Sequence, residues 1–221
     1  MPTAPIISVL NLLSGFVALL VSYYAYKNNK LVGSILLRYI SVGFLLLGVS
    51  LFLQAATESA VSATAIEAIK VRDAEILAFL LYTALQLVAY AVFAWGYGLS
   101  LFSHRTMMSA PVPVVLATSS LAKRIIEGMV FVLAIYEASQ LAIIVLLLLI
   151  VYQGILNFQH TKSSLSLMVL SGFSLIFLAH LLMLGAVLTL GSTAFLIGNT
   201  IEFCGFLSLL FFLYWSGRVV K

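Results

Sequence analysis

Six long apolar runs separated by short polar gaps organise the chain: Ile6–Tyr26, Ile35–Gln54, Ile76–Leu101, Leu141–Phe158, Leu165–Leu188 and Ala194–Trp215. Each is near or above the roughly 18–20 residues that cross hydrocarbon as a helix. A seventh crossing is read over Thr118–Tyr136. Its apolar core, Ile125–Tyr136, cannot cross alone, and the extension back to Thr118 sets Lys123, Arg124 and Glu127 about two turns inside the membrane. Glu127 stands four after Lys123 and three after Arg124, in register for helical ion pairs, and long basic side chains can reach back to the interface. The pattern predicts an all-α polytopic membrane protein, one seven-helix domain over residues 1–221.

Charge then orients the helices. Lys27, Lys30, Arg38, Arg105, Lys123, Arg124, Lys162, Arg218 and Lys221 fall on the side of the C-terminus, and only Lys70 and Arg72 on the other. Cytoplasmic loops carry the excess of lysine and arginine, so the N-terminus is expected outside and the C-terminus in the cytoplasm, at the cell membrane. The longest outer loop, Glu58–Glu75, has Val61, Ala65, Ile66 and Ile69 at helical spacing. Either a short amphipathic helix over the outer mouth or an outward extension of helix three fits it. Met1–Ser8 has no basic region ahead of its apolar stretch, so it reads as the start of a crossing and not as a cleaved signal.

Composition narrows the function classes. Apolar residues make up 63% of the 221 positions and charged residues 8%, against about 25% charged in soluble domains. The formal charge of +4 is dispersed over several loops; it suits lipid headgroups and not nucleic acid. Cys204 is the only cysteine, which excludes an intramolecular disulfide, a CxxC pair and a multi-cysteine metal site. No nucleophile elbow, P-loop, HExxH or Glu-x-x-His pattern occurs, so neither catalysis nor a metal is expected. Bis-histidine haem needs two histidines at one depth. His180 falls in an outer half, while His104 and His160 sit at inner helix ends beside Arg105 and Lys162, so no cofactor is expected.

The chain also aligns with itself. At an offset of 129, helices one and two overlie five and six: Tyr23 meets Tyr152, Asn28 meets Asn157, Ser34 meets Ser163, and Gly43-Phe44 meets Gly172-Phe173. A slightly shorter offset sets helix three over helix seven, with Gln86 opposite Glu202. The expected layout is a parallel 3+1+3 repeat: residues 1–102, a loop and linker helix over 103–137, and residues 138–221. It resembles the architecture of SWEET-type sugar transporters, whose parallel repeats place a substrate site at their interface, and the seven-helix polarity of microbial rhodopsins. No motif is shared with either. The first helices of the two repeats carry no proline beyond Pro5, and no lysine lies between Thr193 and Gly217 to hold retinal.

Polar side chains inside hydrocarbon are costly and mark candidate sites. His180 lies about eight residues before the outer end of helix six and Glu202 about eight after the start of helix seven. The tight turn at Gly191-Ser192 makes these helices antiparallel, so the two side chains reach similar depth. Such a pair can relay protons, sense pH or bind a ligand, or it can lock two helices together. Asn199 and Glu202 share a helix face, as do Thr83 and Gln86. With Tyr82, Tyr90, Thr200 and Gln54, and with Glu137 and Gln140 at a hairpin between helices four and five, they suggest a polar pocket opening outward between the halves. Small-residue packing and side-chain bonds to the local backbone account for many of these positions equally well. Tyr23, Tyr24, Tyr26, Trp95, Tyr97, Tyr214 and Trp215 read as an interfacial belt, and Gly43, Gly48, Gly172, Gly185 and Gly205 as close helix contacts.

Three functions fit: a carrier for a small polar solute or a proton, with Glu202, His180, Gln86 and Asn199 as binding or titrating residues; a seven-helix sensor or scaffold signalling to a membrane or cytoplasmic partner; and an accessory subunit of a larger complex. Membrane lipid is the one partner common to all three.

Overall fold

The computed structural model describes residues 4–63, 70–102, 128–162, 164–189 and 191–219. Within them the chain forms helices α1 (Ala4–Val32), α2 (Ile35–Ala63), α3 (Lys70–Phe102), α4 (Gly128–Thr161), α5 (Ser164–Thr189) and α6 (Ser192–Val219). All six are long and apolar enough to cross a membrane, which makes the chain an integral membrane protein. Their outward surfaces are apolar as well, with Phe16, Val49, Val88, Val145, Leu148, Leu207 and Phe211 exposed. In water such surfaces would be a liability; in lipid they are matched to their solvent.

The sequence reading is corrected between residues 136 and 141. No hairpin exists there: one helix runs unbroken from Gly128 to Thr161, so residues 128–136, expected to end a separate linker helix over Thr118–Tyr136, belong to the same helix as Leu141–Phe158. Glu137-Ala-Ser-Gln140 contains no glycine or proline to stop it, and Ser139 Oγ donates to the Tyr136 carbonyl at 2.7 Å. Gln140 is buried, so its polarity marks an interior contact and not a surface turn. Lys123, Arg124 and Glu127 lie outside the described residues. On the opposite loop, α2 runs on to Ala63 and α3 starts at Lys70, so much of Glu58–Glu75 is helical. Residues 64–69, with most of the expected amphipathic segment, lie outside the description.

Each helix packs on the next in chain order, and α6 closes the ring against α1. Helix directions follow from side-chain pairs. Ser8 meets Ser59, so α1 starts where α2 ends. Asn28 Nδ2 donates to the Leu213 carbonyl at 2.8 Å, so α1 and α6 end together. Along α3 and α4, Phe79 meets Tyr136 at one end and Gly98 meets Gln153 at the other, so these two run parallel. Lys27, Lys30, Arg38, Lys162 and Arg218 therefore gather at one end of the bundle, the basic face. No aspartate or glutamate among the described residues joins them there.

Buried positions recur at the offsets found in the sequence. Asn11, Ser14, Ala18, Val21 and Ala25 in α1 stand 129 before Gln140, Ile143, Leu147, Ile150 and Gly154 in α4, and all ten are buried. Thr83, Gln86, Tyr90, Phe93 and Tyr97 in α3 stand 116 before Asn199, Glu202, Phe206, Leu209 and Leu213 in α6, again all buried. Contacts recur too. Gly43 lies under Phe93 and Gly172 under Leu209; Ser50 bonds the Tyr82 carbonyl while Gly198 abuts the Ala179 carbonyl; Gln153 faces Gly98 and Tyr24 faces Tyr214. The turns after α1 and α4 match as well. Gly33 (φ 68°) and Lys162 (φ 46°) both adopt the left-handed conformation, and their amides bond Asn29 O at 2.7 Å and Phe158 O at 2.8 Å.

Of the expected close-contact glycines, Gly43, Gly48, Gly172 and Gly205 sit against neighbouring helices, whereas Gly185 faces open space. Tyr97 is removed from the belt: it is buried and packs edge-on to Phe173 in the core. Tyr23, Tyr26, Trp95, Tyr214 and Trp215 are exposed as an interfacial role requires.

Candidate functional site: a buried histidine–glutamate cluster

The turn at Gly191, where the amide bonds the Ala186 carbonyl at 2.9 Å, sets α5 and α6 antiparallel. His180 and Glu202 lie nine and ten residues from the facing helix ends, or about 14 Å inward at 1.5 Å per residue. Their side chains are only 3% and 6% exposed, and His180 Nε2 stands 3.7 Å from Glu202 Oε1. That separation is too long for a hydrogen bond. The imidazole is held instead from two other helices. The Gln140 carbonyl oxygen lies 2.8 Å from Nδ1, and the Tyr90 hydroxyl 2.9 Å from Nε2. An amide oxygen only accepts, so Nδ1 carries the hydrogen and the Nε2 lone pair receives the Tyr90 O–H. The Tyr90 and His180 rings meet edge to face at 5.4 Å.

Four helices thus contribute one residue each: Tyr90 from α3, Gln140 from α4, His180 from α5 and Glu202 from α6. All four are buried, so the cluster is closed in this structure and does not open as a pocket to the outer face. Asn199, one turn from Glu202, turns its amide to the Phe195 carbonyl at 2.8 Å. Gln86, expected to oppose Glu202, points to Gln54 instead, its Nε2 3.4 Å from Oε1. An isolated charge at this depth is costly, so gain or loss of a proton at either member of the pair is felt at once by the other. Among the described residues no three of His, Cys, Asp or Glu converge as a metal would require.

A second carboxylate, Glu58, was assigned to the loop in the sequence reading. It lies in the final turns of α2, where Asn11 Nδ2 donates to both its oxygens at 3.1 Å and Gln54 Nε2 to Oε1 at 3.0 Å. The four-residue spacing of Gln54 and Glu58 was visible in the chain; their partner on α1 was not.

Removing the amide oxygen that holds the imidazole should be felt in stability. Gln140→Leu leaves a buried N–H without its acceptor, at a cost of about 1–3 kcal/mol, measured as a lower thermal midpoint in detergent. An unchanged midpoint would mean that the imidazole is held by other contacts.

Comparison with protein-family models, with curated proteins and with solved structures finds no match for this chain.

Proposed function

We propose that this protein is a proton carrier made of two repeated three-helix units, with the Tyr90–Gln140–His180–Glu202 cluster as its proton-handling centre. The parallel course of α3 and α4 supports seven passages, because strict alternation of the six helices would set these two antiparallel. The basic face is then cytoplasmic and the membrane is the cell membrane. Recurrence of burial, contacts and left-handed turns at offsets of 129 and 116 supports the duplication. In this proposal the first unit is α1–α3 and the second is α4–α6.

One observation carries the reading: two ionisable side chains, buried at one depth, 3.7 Å apart and not bonded to each other. Rotation of the Tyr90 hydroxyl frees Nε2, and a side-chain movement of under 1 Å then brings the Glu202 carboxyl to hydrogen-bond distance. A proton can pass between the two with no change in net charge. At the repeat-related positions stand Leu51 for His180, Gln86 for Glu202 and Phe206 for Tyr90, so only one of the two equivalent places is ionisable. That asymmetry favours a directed task over a mere consequence of duplication. The mutual bonding of the closed cluster favours a second reading, a polar lock in a non-transporting sensor or accessory subunit.

Flux separates the two. In proteoliposomes containing a trapped pH-sensitive dye, an acid jump should acidify the lumen with wild-type protein. Glu202→Gln should slow that acidification by roughly a hundredfold, the range lost with a positioned acid–base group. Equal rates for the two proteins would leave the lock as the better account.

A further inference from the structure

The geometry points to Glu58 as the entry carboxylate through which protons reach the His180–Glu202 centre from the face opposite the basic one. This rests on the carrier reading and adds its direction and its first residue. Polar side chains lead inward from Glu58. Gln54 bonds Glu58, Gln86 bonds Gln54, and Tyr90 lies one turn beyond Gln86 on the same face of α3. Tyr90 bonds His180, and Glu202 stands beside it.

Towards the basic face the picture reverses. Phe44, Phe93, Phe173 and Phe206 fill the centre of the bundle, all at most 1% exposed. Phe44 meets Phe93, Phe206 and Phe173 with ring centroids 4.8, 5.8 and 6.4 Å apart. Tyr97 lies edge-on to Phe173, and its hydroxyl finds no partner among the described residues. The centre thus adjoins a polar route on one side and an aromatic barrier on the other.

Glu58 suits the entry position for a reason of charge. Its partners are amides of Asn11 and Gln54, which donate hydrogen bonds but bring no positive charge. From α3 the group that faces it is Tyr82. A carboxylate held by neutral amides attracts a proton. Gln54 and Gln86 do not themselves carry protons at neutral pH; their amides can hydrogen-bond water that enters when the closed cluster opens. Each step is a simple transfer: an O–H bond of hydronium breaks as the Glu58 O–H forms and water is released, and the Glu58 O–H then breaks as water takes the proton and delivers it to the Glu202 carboxylate, where a new O–H forms.

The test uses full-length protein in the same dye-loaded vesicles, with acid applied at the face bearing Glu58. Glu58→Gln should slow uptake by roughly tenfold or more, while Glu58→Asp, which keeps the carboxylate, should be faster than Glu58→Gln. The Glu202 carboxyl stretch, followed by infrared spectroscopy through a pH titration, should be unmoved in both variants. Uptake by Glu58→Gln at the wild-type rate overturns the entry role while leaving the centre standing, provided that Glu202→Gln still blocks. Wild-type protein that moves no protons overturns the carrier reading itself. If Glu58→Gln does not purify in a single folded state, Glu58→Ala is read in the same assay, and uptake at the wild-type rate is the overturning result.

Discussion

Gly43→Ala should lower the thermal midpoint of the detergent-solubilised protein by about 6–12 °C, corresponding to about 3 kcal/mol at the upper end of ordinary overpacking. A methyl group on Gly43 would overlap the Phe93 ring, with Cδ1 at 2.6 Å and Cζ at 2.8 Å. The ring has nowhere to go. Phe93 is fully buried and packs against Phe44 at 4.8 Å, Phe173 at 5.6 Å and Tyr90 at 5.9 Å. Either the ring leaves its rotamer or α2 moves from α3, and both disturb the centre of the bundle. Gly172→Ala should behave alike, because a methyl there would stand 2.6 Å from Leu209 Cγ. Gly185→Ala is the control. Nothing lies within 4 Å of a methyl at that position, so removing a helix-interior glycine should leave the midpoint unchanged or raise it, by up to about 1 kcal/mol. Equal losses at all three positions would point to lipid contact and away from the packing described above.

Helix positions were legible in the sequence because hydrocarbon leaves a chain few choices: long apolar runs become helices. The depth match of His180 and Glu202 was legible for a similar reason, since two helices joined at Gly191-Ser192 have a fixed relation. What could not be read was which partner each polar group finds. Gln140 looked like part of a turn because its neighbours Glu137 and Ser139 are polar, yet its partner His180 lies 40 residues away on another helix. Glu58 looked like loop because it opens an acid-containing stretch, yet it bonds Asn11, 47 residues earlier. Tyr97 looked interfacial because it follows Trp95, but two residues on a helix are about 200° apart, so one faces lipid when the other faces the core. In each case local composition competed with a long-range contact, and the contact won.

The direction of α4 yields an all-or-none result. With Cys204 replaced by serine, single cysteines at Ser34 and Lys162 should be labelled by a membrane-impermeant maleimide from the same face. These positions occupy the turns after α1 and α4. If the six helices simply alternated in direction, three crossings would separate the two turns and they would face opposite sides. The parallel course of α3 and α4 breaks that alternation and sets the two turns at the same end of the bundle. Charge agrees, for Lys27, Lys30 and Arg38 flank the first turn and Lys162 lies in the second, and alternation would divide this basic set between the two sides of the membrane. Labelling of Ser34→Cys and Lys162→Cys from opposite faces would reverse α4, and with it the proposed parallel relation of the two three-helix units.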